Sequence, residues 1–263
     1  MSATLMLNQA ERTIASGTII GICPDFIQKT PLPFSKSQMN NLSTTAEGSY
    51  FTGTRIHLNN LYDTTGSASM LYIASHAEAD LTEPSNSRIF LSDSCSVCLT
   101  DIYNMKSCPP FVVLNACETG LGQVYAEDGV MNFARAFSYS GAVSTITTLW
   151  QVDDKASADI MERMYKNLFA GMTKAGALHN AKLEYLKSIN SSEAANPFYW
   201  AGFVLTGDRA TIIIHQKAQN HYFWVIPAII LLIFMGYLYV NNRSRKTFRV
   251  IVNQIFRNIF NDE

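Results

Sequence analysis

Short runs of apolar and β-branched residues recur along this chain, separated by segments in which apolar residues follow helical spacing. A run of four to eight such residues is typical of a strand buried on both faces. The pattern predicts strands over 17–23, 70–75, 88–91, 111–114, 142–149 and 198–205. It predicts helices over 128–140, from Asp153 or Asp154 to about 170, and from Thr173 to about 188. This alternation indicates an α/β fold, a three-layer sandwich around a mainly parallel sheet.

The predicted helix over 128–140 carries apolar residues at helical spacing, from Val130 to Phe137. Asp128 is a plausible N-cap residue, and Gly141 follows the predicted end of the helix. The aromatic and apolar composition of 198–205 predicts a strand that ends at Gly207.

Two chemically reactive residues lie at the ends of two predicted strands. Cys117 follows the run 111–114, and Gly120 and Gly122 come directly after it. His76 follows the run 70–75. Catalytic groups and ligands in open α/β sheets lie at the carboxyl ends of the strands. If the two strands are parallel neighbours, His76 and Cys117 face one another, and an imidazole activates a cysteine as a nucleophile.

Each of these residues also has an ordinary structural interpretation. A single cysteine at the end of a strand is usually a small buried residue, and a single histidine is usually a packing or surface residue. Their joint position at two strand ends, with glycines after the cysteine, is what favours a catalytic pair over two unrelated residues.

Four blocks of sequence resemble the CHAT domain, a caspase-like family of clan CD cysteine peptidases. In chain order they are LYIASHAEAD (71–80), VVLNACETGLG (112–122), FARAFSYSGAVSTITTLWQVDD (133–154) and NPFYWAGFVLTGD (196–208). The resemblance runs from about residue 18 to 208. It implies a caspase-like fold in which His76 and Cys117 are the catalytic dyad, acting on peptide bonds through a thioester.

The resemblance also implies an oxyanion hole made by backbone N–H groups. The donors would be Cys117 and Ala77, and Ala77 stands where family members often have glycine. An alanine can offer its N–H only if the backbone there suits a residue with a Cβ.

Three carboxylates are candidates for substrate binding. Asp153 and Asp154 follow the strand predicted next to that of Cys117, and Glu118 is the residue after the cysteine. An acidic pocket would favour Lys or Arg before the scissile bond. The alternative for Asp153 and Asp154 is capping of the helix that begins there.

Composition excludes several classes of function. The 263 residues carry a net charge of −1, so no basic surface points to nucleic acid. The pair Cys95 and Cys98 forms a CxxC motif, but a second pair at metal-ligand spacing is missing from the sequence, so neither a metal nor a cofactor is expected. A disulfide between the two is an alternative if the domain is extracytoplasmic.

The carboxyl-terminal part predicts a membrane anchor. Between Lys217 and Arg243 the sequence contains no Asp, Glu, Lys or Arg, and within that gap 222–240 is apolar with aromatic residues at both ends. The predicted organisation is a CHAT domain over 1–210, a linker over 211–221, a transmembrane helix over 222–240 and a basic amphipathic tail over 241–263. The positive charges of the tail predict that the tail is cytoplasmic and that the catalytic domain lies on the opposite side of the membrane. Residues 1–11 show no signal-peptide pattern that would export the domain, so the sequence leaves open on which side of the membrane the domain lies.

These patterns predict a membrane-anchored cysteine endopeptidase of bacterial CHAT type. The expected partners are a protein or peptide substrate, the lipid bilayer and a separate helical-repeat regulator, since relatives are often attached to such repeats. The alternative is a catalytically inactive, membrane-tethered interaction module. Ala77 favours that alternative, as does the expected lack of a first strand, which would make the domain amino-terminally incomplete.

Overall fold

The structure of the chain is a computed structural model. It describes residues 15–57, 68–116, 119–120, 122–125 and 129–218, together with residues 230, 231, 234, 235 and 241. The strands are β1 Ser16–Pro24, β2 Gly48–Gly53, β3 Ala68–Ala74, β4 Ala77–Glu78, β5 Arg88–Phe90, β6 Ser96–Cys98, β7 Phe111–Asn115, β8 Gln123–Tyr125, β9 Gly129–Met131, β10 Ser144–Thr148, β11 Phe203–Gly207 and β12 Ile213–Ile214. The helices are α1 Pro33–Thr45, α2 Leu99–Tyr103, α3 Phe133–Tyr139, α4 Asp154–Phe169, α5 Lys174–Ser188 and α6 Pro197–Trp200.

A mainly parallel sheet forms the centre of the domain. Its strands follow the order β11-β10-β7-β3-β1-β12 among the described residues, and β2 also pairs with β1. All of these pairings are parallel except that of β10 with β11. Every residue of β3, β7 and β10 is buried, as expected for strands covered on both faces.

Helices cover both faces of this sheet and create two apolar clusters. One cluster joins the sheet to α1, α4 and α5, with Tyr72 and Tyr165 among its largest buried side chains. The other joins the opposite face to α2 and α3, with Phe133 and Phe137 at its centre. The expected three-layer α/β fold with a mainly parallel sheet is therefore confirmed.

A small antiparallel sheet lies after β3, with β5 between β4 and β6. Its first strand begins at Ala77, directly after His76. Cys95 and Cys98 belong to this region, and both are free thiols. No group of His, Cys, Asp and Glu able to hold a metal is found among the described residues.

Two predicted boundaries were wrong. The helix expected over 128–140 begins only at Phe133, because the Asn132 side chain accepts from the Arg135 amide as N-cap while 129–131 pair with β8. The strand expected over 198–205 begins only at Phe203. Before it, Asn196 caps a short helix with Pro197 in its first turn, and these local signals outweigh the β-propensity of the aromatic residues.

Part of the predicted linker over 211–221 is instead folded onto the domain. Ile213 and Ile214 pair with the first residues of β1, and the compact unit extends to Lys217. Residues 1–14 lie outside the described residues, so the predicted amino-terminal incompleteness stays a prediction. Most of 222–240 also lies outside them, and within the described part of the chain no helix has the length and apolarity needed to cross a bilayer.

One ion pair joins the end of β11 to the start of α5. The side chain of Lys174 is 6% exposed and that of Asp208 is 44% exposed, and Nζ of Lys174 lies 2.8 Å from Oδ2 of Asp208. Partial burial alone would raise the pKa of Asp208, but hydrogen bonds from Lys174 and the Ala210 amide hold this pKa below its ordinary value. The pair therefore stabilises the fold above about pH 4, the pKa of an unfolded aspartate, and loses this effect as the pH falls through the lowered value.

Lys174→Ala should lower the free energy of unfolding by about 1–2 kcal/mol at pH 7, because it removes a hydrogen bond to a carboxylate and the buried packing of the lysine side chain. The matched control Lys166→Ala removes an exposed pair with Glu162 and should cost less than about 0.5 kcal/mol. Urea unfolding of the full chain measures both. The loss of unfolding free energy caused by Lys174→Ala should become smaller below about pH 4. An equal loss in the two variants at pH 7 would contradict a stabilising role of the ion pair with Asp208.

Candidate active site

The carboxyl ends of β3 and β7 lie level at one edge of the sheet. The register pairs Ala74 with Asn115, and the Ser75 amide donates to the Asn115 carbonyl oxygen at 3.1 Å. His76 stands two residues beyond Ala74, and Cys117 stands two residues beyond Asn115. Neighbouring parallel strands are about 4.8 Å apart. The two chain segments that carry the predicted dyad therefore leave the sheet side by side.

Cys117 and Glu118 lie outside the described residues, but the chain on both sides of them is anchored to β10. The hydroxyl groups of Thr119 and Thr148 donate to the Ala116 carbonyl oxygen. The Gly120 amide donates to the Thr148 carbonyl oxygen at 2.8 Å. A Cβ on Gly120 would lie 3.0 Å from that oxygen, so glycine permits the close approach.

Two residues from the loop between β1 and α1 hold the imidazole of His76. Its Nε2 lies 2.7 Å from the Thr30 carbonyl oxygen, and the ring of Phe26 packs against it with 4.8 Å between ring centroids. A carbonyl oxygen only accepts, so Nε2 must carry the proton. Nδ1 of neutral His76 is then the nitrogen that can accept a proton.

Ala77 has the backbone geometry that its predicted role requires. It lies in β4, an extended conformation that any residue with a Cβ adopts. The Phe90 amide donates to the His76 carbonyl oxygen, which makes Ala77 and Ile89 a non-hydrogen-bonded pair of the ladder. In such a pair the N–H groups point away from the partner strand, so the Ala77 N–H points away from β5, and β4 has no neighbouring strand on that side within the described residues.

Two cavities meet at His76. The first has a volume of about 260 Å³ and is lined by residues that include Ser35, Ser75, Ala116 and Asp153. The second, of about 460 Å³, is lined by Lys29, Ala77 and Glu78, among others. Thr30, His76 and Gln151 line both. A peptide crossing this edge would have space on either side of the imidazole.

The two adjacent aspartates make different contacts. Oδ1 of Asp153 accepts from the Ala156 amide, which makes it the N-cap of α4, and Oδ2 has no hydrogen-bond partner among the described residues. Asp154 accepts with one oxygen from the Phe34 amide and with the other from the amide and hydroxyl of Ser35. Both residues line the smaller cavity. Helix capping by Asp153 is therefore observed, and its role in substrate binding stays a prediction.

A buried polar network lies directly under this cavity. Nδ2 of Asn115 lies 3.3 Å from the Ser35 hydroxyl and 3.5 Å from the Tyr72 hydroxyl, which in turn bonds Gln38 at 2.8 Å. These side chains are almost fully buried. The network ties α1 to the ends of β3 and β7, and sequence reasoning missed it because single Ser, Gln and Asn residues carry no motif.

The buried thiol of Cys23, near this edge of the sheet, is not suited to nucleophilic chemistry. Cys23 lies at the end of β1, and burial, together with the charges of Asp154 and Asp25, raises the pKa of its thiol to about 12. It therefore stays protonated at neutral pH, and the thiol, unlike the thiolate, is a poor nucleophile.

Comparison with known proteins supports the same fold. The sequence model of the CHAT domain matches residues 8–208. Tetratricopeptide repeat protein 28 of Mus musculus is 32% identical over 108 residues, and that of Homo sapiens is 33% identical over the same length. In both cases the match spans 41% of this chain and 4% of the relative.

Among solved structures, the complex of pro- and mature domains of Porphyromonas gingivalis RgpB matches with a TM-score of 0.55 and 15% identity, covering 80% of this chain and 53% of that one. A structure of the Arg-specific cysteine proteinase gingipain R (RGPB) matches with a TM-score of 0.53 and 13% identity, covering 80% of this chain and 52% of that one. The Saccharomyces cerevisiae separase–securin complex matches with a TM-score of 0.51 and 10% identity, covering 81% of this chain and 13% of that one. The fold is that of the caspase-like cysteine proteases, and the chain belongs to the CHAT domain family.

Proposed function

We propose that this chain is a membrane-anchored cysteine endopeptidase in which His76 and Cys117 form the catalytic dyad. The observation that supports the proposal is the level ending of β3 and β7 at the pair Ala74 and Asn115. In the sequence, His76 and Cys117 each follow two residues after these paired positions. The neighbouring cavities and the orientation of the His76 ring support it.

In the first step, Nδ1 of His76 takes the proton of the Cys117 thiol, and the thiolate attacks the substrate carbonyl carbon. The tetrahedral intermediate collapses when the imidazolium protonates the leaving amine, so the peptide C–N bond breaks and a thioester remains. Water then attacks the thioester, with His76 as base, and releases the carboxylic acid and the thiol. Thr30 holds the ring in the tautomer that these steps require.

The developing oxyanion would be bound by the backbone N–H groups of Ala77 and Cys117. Among the described residues the Ala77 N–H has no partner strand, because it lies on the edge of β4 that faces away from β5. One such donor typically lowers the barrier by about 3 kcal/mol.

Asp153 is the residue that we assign to recognition of a basic side chain before the scissile bond. Its Oδ2 is free within the described residues, and the residue lines the cavity beside His76. Asp154 lines the same cavity, but both of its oxygens already accept hydrogen bonds from α1. Glu118 remains a further candidate from the sequence.

Membrane anchoring by 222–240, with the tail over 241–263 in the cytoplasm, is part of the same proposal. Ile230, Leu231, Phe234 and Met235 are helical and more than half exposed, which suits contact with lipid. A helical-repeat protein is the regulator that we propose, because the relatives in mouse and human are named for tetratricopeptide repeats.

Cys117→Ala should abolish peptide cleavage and labelling by a peptide-based electrophilic probe, since both need the thiolate. His76→Ala should lower both at least about 100-fold. Cys95→Ala is the matched control, because this thiol is part-exposed but is not among the residues that line the two cavities beside His76, and it should behave like the wild type. Labelling sites are assigned by tandem mass spectrometry. A folded wild type whose Cys117 reacts no faster than Cys95 would favour the inactive interaction module.

Asp153→Asn should lower kcat/KM for peptides with Arg or Lys before the scissile bond by about 10- to 100-fold, the value of a lost charge-assisted hydrogen bond. Cleavage of peptides with a neutral residue there should be nearly unchanged, because asparagine is also a good N-cap for α4. Asp159→Asn, which removes only the partner of Arg163 on the same helix, serves as control. A preference of the wild type for acidic or apolar residues would contradict this assignment.

Removal of 222–263 should release the protein from membranes, whereas the full chain should stay in the pellet after a carbonate wash. Protease added outside intact cells should leave the tail undigested, because its positive charges favour the cytoplasmic side. Release of the full chain by carbonate would contradict the anchor.

A further inference from the structure

The loop over 25–32, which we call the β1–α1 loop, carries the Thr30 carbonyl that orients His76. This loop is held by two carboxylates from distant parts of the chain. Asp93, after β5, accepts from the amides of Ile27 at 2.8 Å and Gln28 at 3.2 Å, using a different oxygen for each. Asp154 accepts from the amides of Phe34 at 2.9 Å and Ser35 at 3.1 Å, just beyond the other end of the loop.

We propose that Asp93 and Asp154 are positioning residues that hold the β1–α1 loop, and thereby the Thr30 carbonyl, against His76. The inference rests on the proposed peptidase function. Neither carboxylate is assigned contact with the reacting atoms; each acts through the backbone of the loop.

The local structure of α1 explains why an outside carboxylate is needed. The N-cap residue of α1, Leu32, has no side chain that can accept a hydrogen bond, so the first amides of the helix lack an acceptor of their own. Asp154 supplies that acceptor, and Pro33 in the first turn removes one further donor. The start of α1, and the loop that leads into it, is thus fixed to the start of α4.

On the other side, Asp93 satisfies two consecutive amides in the middle of the loop. Phe26 and Thr30, which contact His76, lie just before and after these amides. Lys29 adds a third contact, with Nζ 3.9 Å from the centre of the Phe90 ring. Without Asp93, two backbone donors of this loop would have to find other acceptors, and fewer contacts would fix the position of Thr30 from that side.

The test compares Asp93→Asn and Asp154→Asn with Asp101→Asn. Asparagine keeps the shape but turns a donor toward one of the two backbone amides that each aspartate binds. Asp101 is the matched control, because it also accepts from a backbone amide, that of Cys98, but on α2 and away from the β1–α1 loop. Thermal unfolding of each full-length variant verifies that it is folded.

We expect Asp93→Asn and Asp154→Asn to lower kcat by about 10- to 100-fold, because misplacement of a catalytic group costs rate. KM should change by less than about threefold, and the ratio of rates for basic and neutral peptides should stay constant. Asp101→Asn should match the wild type. If Asp154→Asn instead changes the ratio of rates for basic and neutral peptides, Asp154 binds substrate and the proposal fails for this residue. If the kcat of Asp93→Asn equals that of Asp101→Asn, the proposal is overturned for Asp93.

A second readout is independent of activity. In protein labelled with ¹⁵N-histidine, the Nε2–H proton of His76, assigned by its loss in His76→Gln, should exchange slowly with water in the wild type and in Asp101→Asn. It should exchange faster in Asp93→Asn and Asp154→Asn. Equal exchange in all four proteins overturns the proposal even if the chain cleaves peptides. If the chain cleaves no peptide, but the slow exchange of the wild type is lost in Asp93→Asn and Asp154→Asn, the positioning role is supported and only the proposed peptidase function is contradicted. Asp93 is part-exposed, so its variant keeps the test available if Asp154→Asn does not fold.

Discussion

The parallel pairing of β3 with β7 is the interaction on which the rest of the structure depends. Both strands are buried on both faces, and their register from Met70–Phe111 to Ala74–Asn115 ends in the hydrogen bond from Ser75 to Asn115. Side chains alternate between the faces of a strand, so a slip of one residue would exchange the residues that face the two apolar clusters. The buried core therefore fixes where the chain leaves the sheet, and with it the positions of the two segments that follow.

Around that edge, separate elements make separate contributions. The sheet places the segments of the imidazole and the thiol, and β10 anchors the chain on either side of Cys117 through Ala116 and Gly120. The β1–α1 loop sets the orientation of His76, and the start of α4 presents Asp153 to the cavity. A rigid sheet with function carried by the loops at its carboxyl edge is a general property of α/β proteins.

The sequence predicted the central strands well, because runs such as 70–75 and 111–114 are short, apolar and β-branched. It also predicted that His76 and Cys117 follow neighbouring strands, and it identified the CHAT family. It failed where local capping decided the outcome, at Asn132 and Asn196, because β-propensity and helical spacing pointed the other way. It could not find the role of Thr30, since a backbone carbonyl has no sequence signature, or that of Asp93, a single aspartate in a polar loop.

The most direct test of the account is the pH dependence of alkylation of Cys117 by iodoacetamide, followed by mass spectrometry in the wild type and in His76→Ala. If the imidazole lies beside the thiol, it stabilises the thiolate, and the wild-type rate should stay high well below pH 8. In His76→Ala the rate should rise only near pH 8–9, as for an ordinary thiol with a pKa of about 8.5. Identical profiles in the two proteins would mean that the histidine and the cysteine do not meet, and would contradict the central claim.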